Sequence, residues 1–189
     1  MNTPFFQIVP ALFVSALLFT GCVQPASTTT ATTSSRPPIN VLLITADDLG
    51  YESTGVTGSR IPGLTPEIDR LASQGMRFAY AHVTSPVCQP SRSALMTGRY
   101  PYRNGALGFE PIRRDVPTLQ ESLRKAGYLN GIMAKVTHLA PRDKFQWDFF
   151  VPEEKLGHGR DPAAYYENAR AFFLQARNAG RPFFLMANS

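Results

Sequence analysis

Apolar runs at residues 41–46, 128–135 and 182–188 alternate with stretches of helical periodicity, so strands and helices are expected in turn along the chain. The first run, V-L-L-I-T-A, is continuous and partly β-branched, which predicts a strand buried on both faces of a parallel sheet. Residues 78–83 read as a further strand leading into the next turn. Helices are expected at 65–74, where Pro66 starts a pattern with Ile68 and Leu71 on one packing face and Gly75 ends it, and at 118–126, where Leu119 and Leu123 precede Gly127. A longer helix is expected over 162–180, with Tyr166, Phe173 and Leu174 on its pattern.

The chemistry concentrates where these runs end. Residues 87–99, V-C-Q-P-S-R-S-A-L-M-T-G-R, place Cys88 at the mouth of a short helix, with Pro90 in its first turn and Gly98 as its stop. Free N–H groups and the positive end of the helix dipole favour an anion there, and Arg92 adds a fixed charge one turn in. By itself such a cysteine is an activated nucleophile, a metal ligand or a buried apolar filler. Asp47 and Asp48 follow the first strand. Such a pair is either a solvated loop or, where the strand breaks, two carboxylates turned toward one hard cation. Lys135 and His138 follow the second strand, and each alone would be an ordinary surface residue.

Together these stretches resemble the sulfatase family. C-Q-P-S-R-S-A-L-M-T-G-R is similar to the signature whose cysteine is oxidised to formylglycine, and N-V-L-L-I-T-A-D-D-L-G, T-P-E-I-D-R-L-A-S-Q-G-M-R-F and G-R-Y-P-Y-R-N-G resemble the same family. The resemblance implies an α/β fold: a three-layer α/β/α sandwich with a mostly parallel central sheet, of the alkaline-phosphatase-like type. It also implies a sulfate ester or sulfamate hydrolase. One hydroxyl of the hydrated aldehyde at position 88 would attack sulfur, and the other would then expel sulfate. Asp47, Asp48 and the oxygen at position 88 would hold a divalent metal, calcium in most of the family, and Arg92 would orient position 88. Lys135 and His138 would contact the sulfate, with His138 also moving a proton. The usual G-K-x-H segment is here A-K-V-T-H, with Ala134 for glycine and one extra residue. N-G-A-L-G, G-I-M-A-K-V-T-H-L-A-P and R-P-F-F-L-M-A-N resemble the N-sulfoglucosamine sulfohydrolase branch more than the arylsulfatases. A sulfated sugar or glycan is the implied substrate, and a formylglycine-generating enzyme the implied partner. Phosphate or phosphonate ester hydrolysis on the same scaffold is the competing enzymatic reading.

The N-terminus carries an address. Residues 8–19 form an apolar run too short to span a bilayer comfortably, placed where a signal h-region belongs. The run ends in F-T-G-C, which resembles the bacterial lipoprotein box, so Cys22 is the expected lipidation site. Residues 1–22 therefore read as an export signal, 23–38 as a Ser/Thr/Pro tether, and 39–189 as the N-terminal part of a longer catalytic domain whose remaining metal ligands lie beyond Ser189. An exported protein, periplasmic or at the cell surface and anchored to the membrane by lipid, is the expectation. The net charge of +5 favours an anionic partner, and no nucleic-acid motif accompanies it. It is also compatible with a surface lipoprotein that binds sulfated glycans without turnover. Arg99, Arg103, Arg113 and Arg114 lie in turn-rich sequence that would suit either a substrate cleft or a solvated surface.

Overall fold

A computed structural model describes residues 37–189; the segment read as an export signal, Cys22 and all but the end of the stretch read as a tether lie outside the described residues. Four strands, β1 (Val41–Thr45), β2 (Leu129–Met133), β3 (Phe149–Val151) and β4 (Phe183–Asn188), form one sheet in the order β1-β4-β2-β3. Every neighbouring pair is parallel. The helices are α1 (Pro66–Gln74), α2 (Cys88–Thr97), α3 (Pro101–Asn104), α4 (Leu119–Lys125) and α5 (Pro162–Asn178).

Alternation along β4 builds the layers. Leu185 and Ala187 join Phe172 and Ala176 of α5 on one face, whereas Phe184 and Met186 join Met96 of α2 and Leu123 of α4 on the other. The expected three-layer sandwich is therefore present. Gly131 in the middle of β2 permits the close approach of α5: a Cβ there would lie 2.8 Å from the Phe172 ring and 2.9 Å from a Leu185 methyl. Local chemistry sets the helix starts. Thr118 and Glu121 form a reciprocal capping box on α4, and the Asp161 carboxylate accepts from the Ala163 and Ala164 amides at 3.0 Å to cap α5.

The structure corrects several expectations. Residues 78–83 form no strand, because none of the four strands pairs with them; Phe78, Tyr80 and Val83 stay exposed. α1 forms where its terminal signals place it, yet it has no buried residue, and Ile68 and Leu71 face outward. Its anchor is polar instead: the Asp69 carboxylate accepts from the Val56 amide at 2.7 Å and Thr65 Oγ1 from the Gly55 amide at 2.9 Å. β1 is not buried on both faces, since it is an edge strand and α5 packs over β2 and β4. Leu42 and Ile44 border a concavity of about 470 Å³ that Tyr166 and Phe173 line from α5. α2 begins at Cys88 itself, and β3 and α3 were not signalled by periodicity. Among the described residues no helix is long and apolar enough to cross a membrane.

Candidate active site

The polar centre lies at the carboxyl ends of β1, β4 and β2, where open parallel sheets place their ligands. Just beyond β1, Asp47 is flanked by two cations: Oδ2 lies 2.8 Å from Lys135 Nζ and Oδ1 lies 3.2 Å from Arg92 Nη2. Burial alone would raise the Asp47 pKa, but the hydrogen bonds and charges of Lys135 and Arg92 outweigh it and hold the carboxyl below its ordinary value. Asp47 is thus a fixed anion. It accepts from two groups that would otherwise repel each other.

Arg92 reaches the centre from α2. Its side chain is nearly buried; Nη1 donates to Thr45 Oγ1 at 3.1 Å and to Asn188 Oδ1, while Nε makes no hydrogen bond among the described residues. Cys88 is the first residue of the same helix, a half-buried free thiol one turn before Arg92. Val87 caps the helix without a side-chain bond, so the first-turn N–H groups keep the anion-attracting character expected of them. Gly98, at φ 62°, ends the helix in the left-handed conformation that its sequence position predicts.

Lys135 arrives from β2. Its pKa is raised, chiefly by the hydrogen bond to Asp47 and against its own burial, with Glu153 adding a carboxylate 3.9 Å away. His138 closes the short turn Val136–His138, edge-on to Phe109 at 6.4 Å between ring centroids. Burial, then the charges of Lys135 and Arg92, lower its pKa against the opposing pull of Asp47 and Glu153. His138 is therefore a neutral imidazole near pH 7, able to accept or relay a proton.

The sequence-predicted residues are thus brought together unevenly. Asp47, Arg92 and Lys135 touch, Cys88 heads the helix that carries Arg92, and His138 lies in the same electrostatic field. Asp48 is exposed, in a left-handed conformation at φ 53°, and forms no ion pair among the described residues. Among the described residues no group of three or more His, Cys, Asp or Glu side chains converges there. Asp47 and Asp48 supply hard oxygens suited to a calcium-type ion, and a carboxylate retains lone pairs beyond those used by Lys135 and Arg92, so the pair fits part of such a ligand set. Arg113 and Arg114 belong to the surface, paired with Asp115 at 3.5 Å and Asp143 at 2.6 Å, and Arg99 and Arg103 are exposed. Four site residues went unpredicted: Thr45, Glu153, Asn188, and Tyr165 of α5, whose hydroxyl donates to the Asn188 carbonyl. Thr45 and Asn188 carried a signal, as polar residues closing apolar strands; Glu153 and Tyr165 carried none.

A helix that begins at Cys88 and carries Arg92 to Asp47 at the carboxyl ends of a parallel sheet defines an α/β protein with its polar centre at the strand ends. The sulfatase family model matches residues 39–188, and the chain belongs to the sulfatase family. It is 37% identical to an N-acetylgalactosamine-6-O-sulfatase of Bacteroides thetaiotaomicron, over 89% of this chain and 36% of that protein. It is 34% identical to the human N-acetylgalactosamine-6-sulfatase, over 80% of this chain and 29% of the relative. Its fold matches the crystal structure of Ps i-CgsB with a TM-score of 0.64 at 26% identity, covering 80% of this chain and 44% of that one. The chain spans about a third of the length of the curated relatives it matches.

Proposed function

We propose that the protein hydrolyses the sulfate ester of a sulfated sugar, using formylglycine made from Cys88 by a maturation enzyme. The observation that carries this reading is the position of Cys88 as first residue of α2, one turn before an Arg92 locked to Asp47. The hydrated aldehyde, once formed, supplies a nucleophilic hydroxyl. Lys135 and the α2 N-terminus face the developing negative charge on the sulfate oxygens, and Arg92, with Nε still free to donate, steadies the group at position 88. The neutral His138 imidazole takes or returns a proton near the leaving group. Asp47 and Asp48 would hold a divalent cation, most simply calcium, whose charge would offset that of the sulfate.

For the substrate, the names of the relatives favour a 6-O-sulfated N-acetylgalactosamine unit of a glycan, with N-sulfoglucosamine as the comparator that the N-G-A-L-G run raises. Export through residues 1–22, with lipid on Cys22, would place the enzyme where such glycans occur. The test joins two measurements on protein from its native host. The mass of the tryptic peptide containing residue 88 should show the aldehyde. Sulfate should be released from N-acetylgalactosamine 6-sulfate faster than from N-sulfoglucosamine, and Cys88→Ala should abolish it. An intact thiol throughout, undiminished turnover by Cys88→Ala, or turnover of a phosphonate ester but no sulfate would overturn the reading.

A further inference from the structure

We propose that Asn188 is a positioning residue of this site: its carboxamide holds the left-handed turn that presents Lys135 and, with its other end, fixes the Arg92 guanidinium. What those two cations act on rests on the sulfatase reading; how they are held rests on geometry alone.

Asn188 ends β4, an interior strand of the sheet, and is 1% exposed. Its neighbours along the strand are apolar, and a buried carboxamide among them is costly unless its hydrogen bonds are made. They are all made. Oδ1 accepts from Thr45 Oγ1 at 2.7 Å and from Arg92 Nη1, and Nδ2 donates to the Met133 carbonyl at 2.8 Å and the Ala134 carbonyl at 3.2 Å. With cationic and hydroxyl donors on one side and two carbonyls on the other, only one orientation of the amide satisfies every partner.

Those carbonyls mark the point where β2 leaves the sheet. Ala134 and Lys135 follow with φ of 56° and 52°, a conformation that residues with a Cβ rarely adopt. Such backbone persists only where its surroundings hold it. The Ala134 amide is held by the Val151 carbonyl at 2.9 Å, and the carbonyl side is held by Asn188. From this turn Lys135 extends to Asp47. One carboxamide therefore ties the loop of β2, the end of β1 and the side chain of α2 into a single frame.

The test uses Asn188→Asp, which keeps an acceptor for Thr45 and Arg92 and replaces the donor by an oxygen facing two carbonyls, and Ala134→Gly, which removes the Cβ that makes the turn unfavourable. Hydrogen exchange read by mass spectrometry on the full-length protein should speed up at residues 134–138 in Asn188→Asp, by about fivefold or more if one strained residue relaxes. Residues 129–133 and α5 should be unchanged. Ala134→Gly alone should stay near wild type, and the double variant should recover most of the lost protection. The kcat/KM for sulfate ester hydrolysis should fall and recover in the same order. Uniform acceleration across the sheet, no acceleration at 134–138, or no recovery in the double variant overturns the proposal. If Asn188→Asp alone does not fold, a folded double variant supports the same coupling, and a double variant that also fails to fold overturns it. Absence of turnover in every form, wild type included, would count against the sulfatase reading and leave the exchange result to decide this one.

Discussion

Asp47 and Lys135 meet at 2.8 Å although their strands, β1 and β2, are not neighbours: β4 runs between them, and the contact is made above its carboxyl end. The ion pair therefore spans the sheet, and it ties the site to the stability of the fold.

Lys135→Met should destabilise the protein by about 1–3 kcal/mol, because it leaves a partly buried carboxylate with Arg92 as its remaining cation. Urea unfolding followed through Trp147, the chain's single tryptophan, stacked 6.2 Å from the Phe184 ring, reads this directly. Asp47 has a folded pKa below its ordinary 3.8, so its contribution is present above that value and is lost as pH falls through the folded pKa. Lys135 has a folded pKa above 10.5, so its contribution is present below that value and is lost as pH rises through the folded pKa. The difference between wild type and variant should be greatest between these limits and shrink beyond either.

Asp47 and Asp48 should separate under substitution. Asp48→Asn should weaken calcium binding by about tenfold or more, since it removes one of few charged oxygens. Without calcium it should change stability by less than about 0.5 kcal/mol, because Asp48 is exposed and Asn tolerates its left-handed backbone. Asp47→Asn should lower both quantities. Calorimetric titration beside urea unfolding tests the pair, and an Asp48→Asn protein with unaltered calcium affinity would remove Asp48 from the ligand set.

The acid limb of the pH–rate profile should lie below the ordinary histidine range. Burial and the neighbouring cations disfavour the imidazolium of His138, so the working neutral form survives to lower pH than a free histidine allows. Because the folded pKa lies below the unfolded one, stability should also decline as pH drops from about 6.5 through the folded value. His138→Gln should abolish that limb along with most of the rate. A limb that persists unchanged in His138→Gln belongs to another group.

Cys22 should carry lipid. A metabolic fatty-acid probe should label the protein in its native host and lose its target in Cys22→Ser; label that persists, or a chain cleaved elsewhere and released, would refute the F-T-G-C reading.

The parts of the site legible in the sequence were those whose chemistry is local. Proline in a first turn and glycine at a stop announce the helix that carries Cys88 and Arg92, and an apolar run announces the strand before Asp47; Asp47, Lys135 and His138 were singled out only through the family resemblance, since each alone reads as an ordinary loop or surface residue. The α/β layering followed from the family resemblance, with the apolar runs marking three of the four strands. Strand order did not: nothing in residues 183–188 says that they pair between β1 and β2. Nor did burial, because α1 shows the same one-face pattern as a docked helix and differs only in burying no residue against an apolar surface among the described residues. Glu153 and Tyr165 escaped notice because their place in the site comes from the return of the chain after β3, a strand of only 3 residues that periodicity cannot register.

Thr45 and Asn188 are register partners across β1 and β4, and their side chains bond over a sequence separation of 143 residues. The ladder continues past them, with the Ser189 amide donating to the Thr45 carbonyl and the Asp47 amide to the Ser189 carbonyl. A slip of one residue in that pairing would turn Asn188 toward the opposite face and leave Arg92 facing the wrong side chain. Long-range pairings of this kind close late, since loop entropy must be overcome before they gain anything. Correct strand alignment and assembly of the Asp47, Arg92 and Asn188 cluster should thus coincide during refolding, and if the proposed sulfatase reading holds, the appearance of sulfate affinity would serve as a clock for the docking of the interior strand.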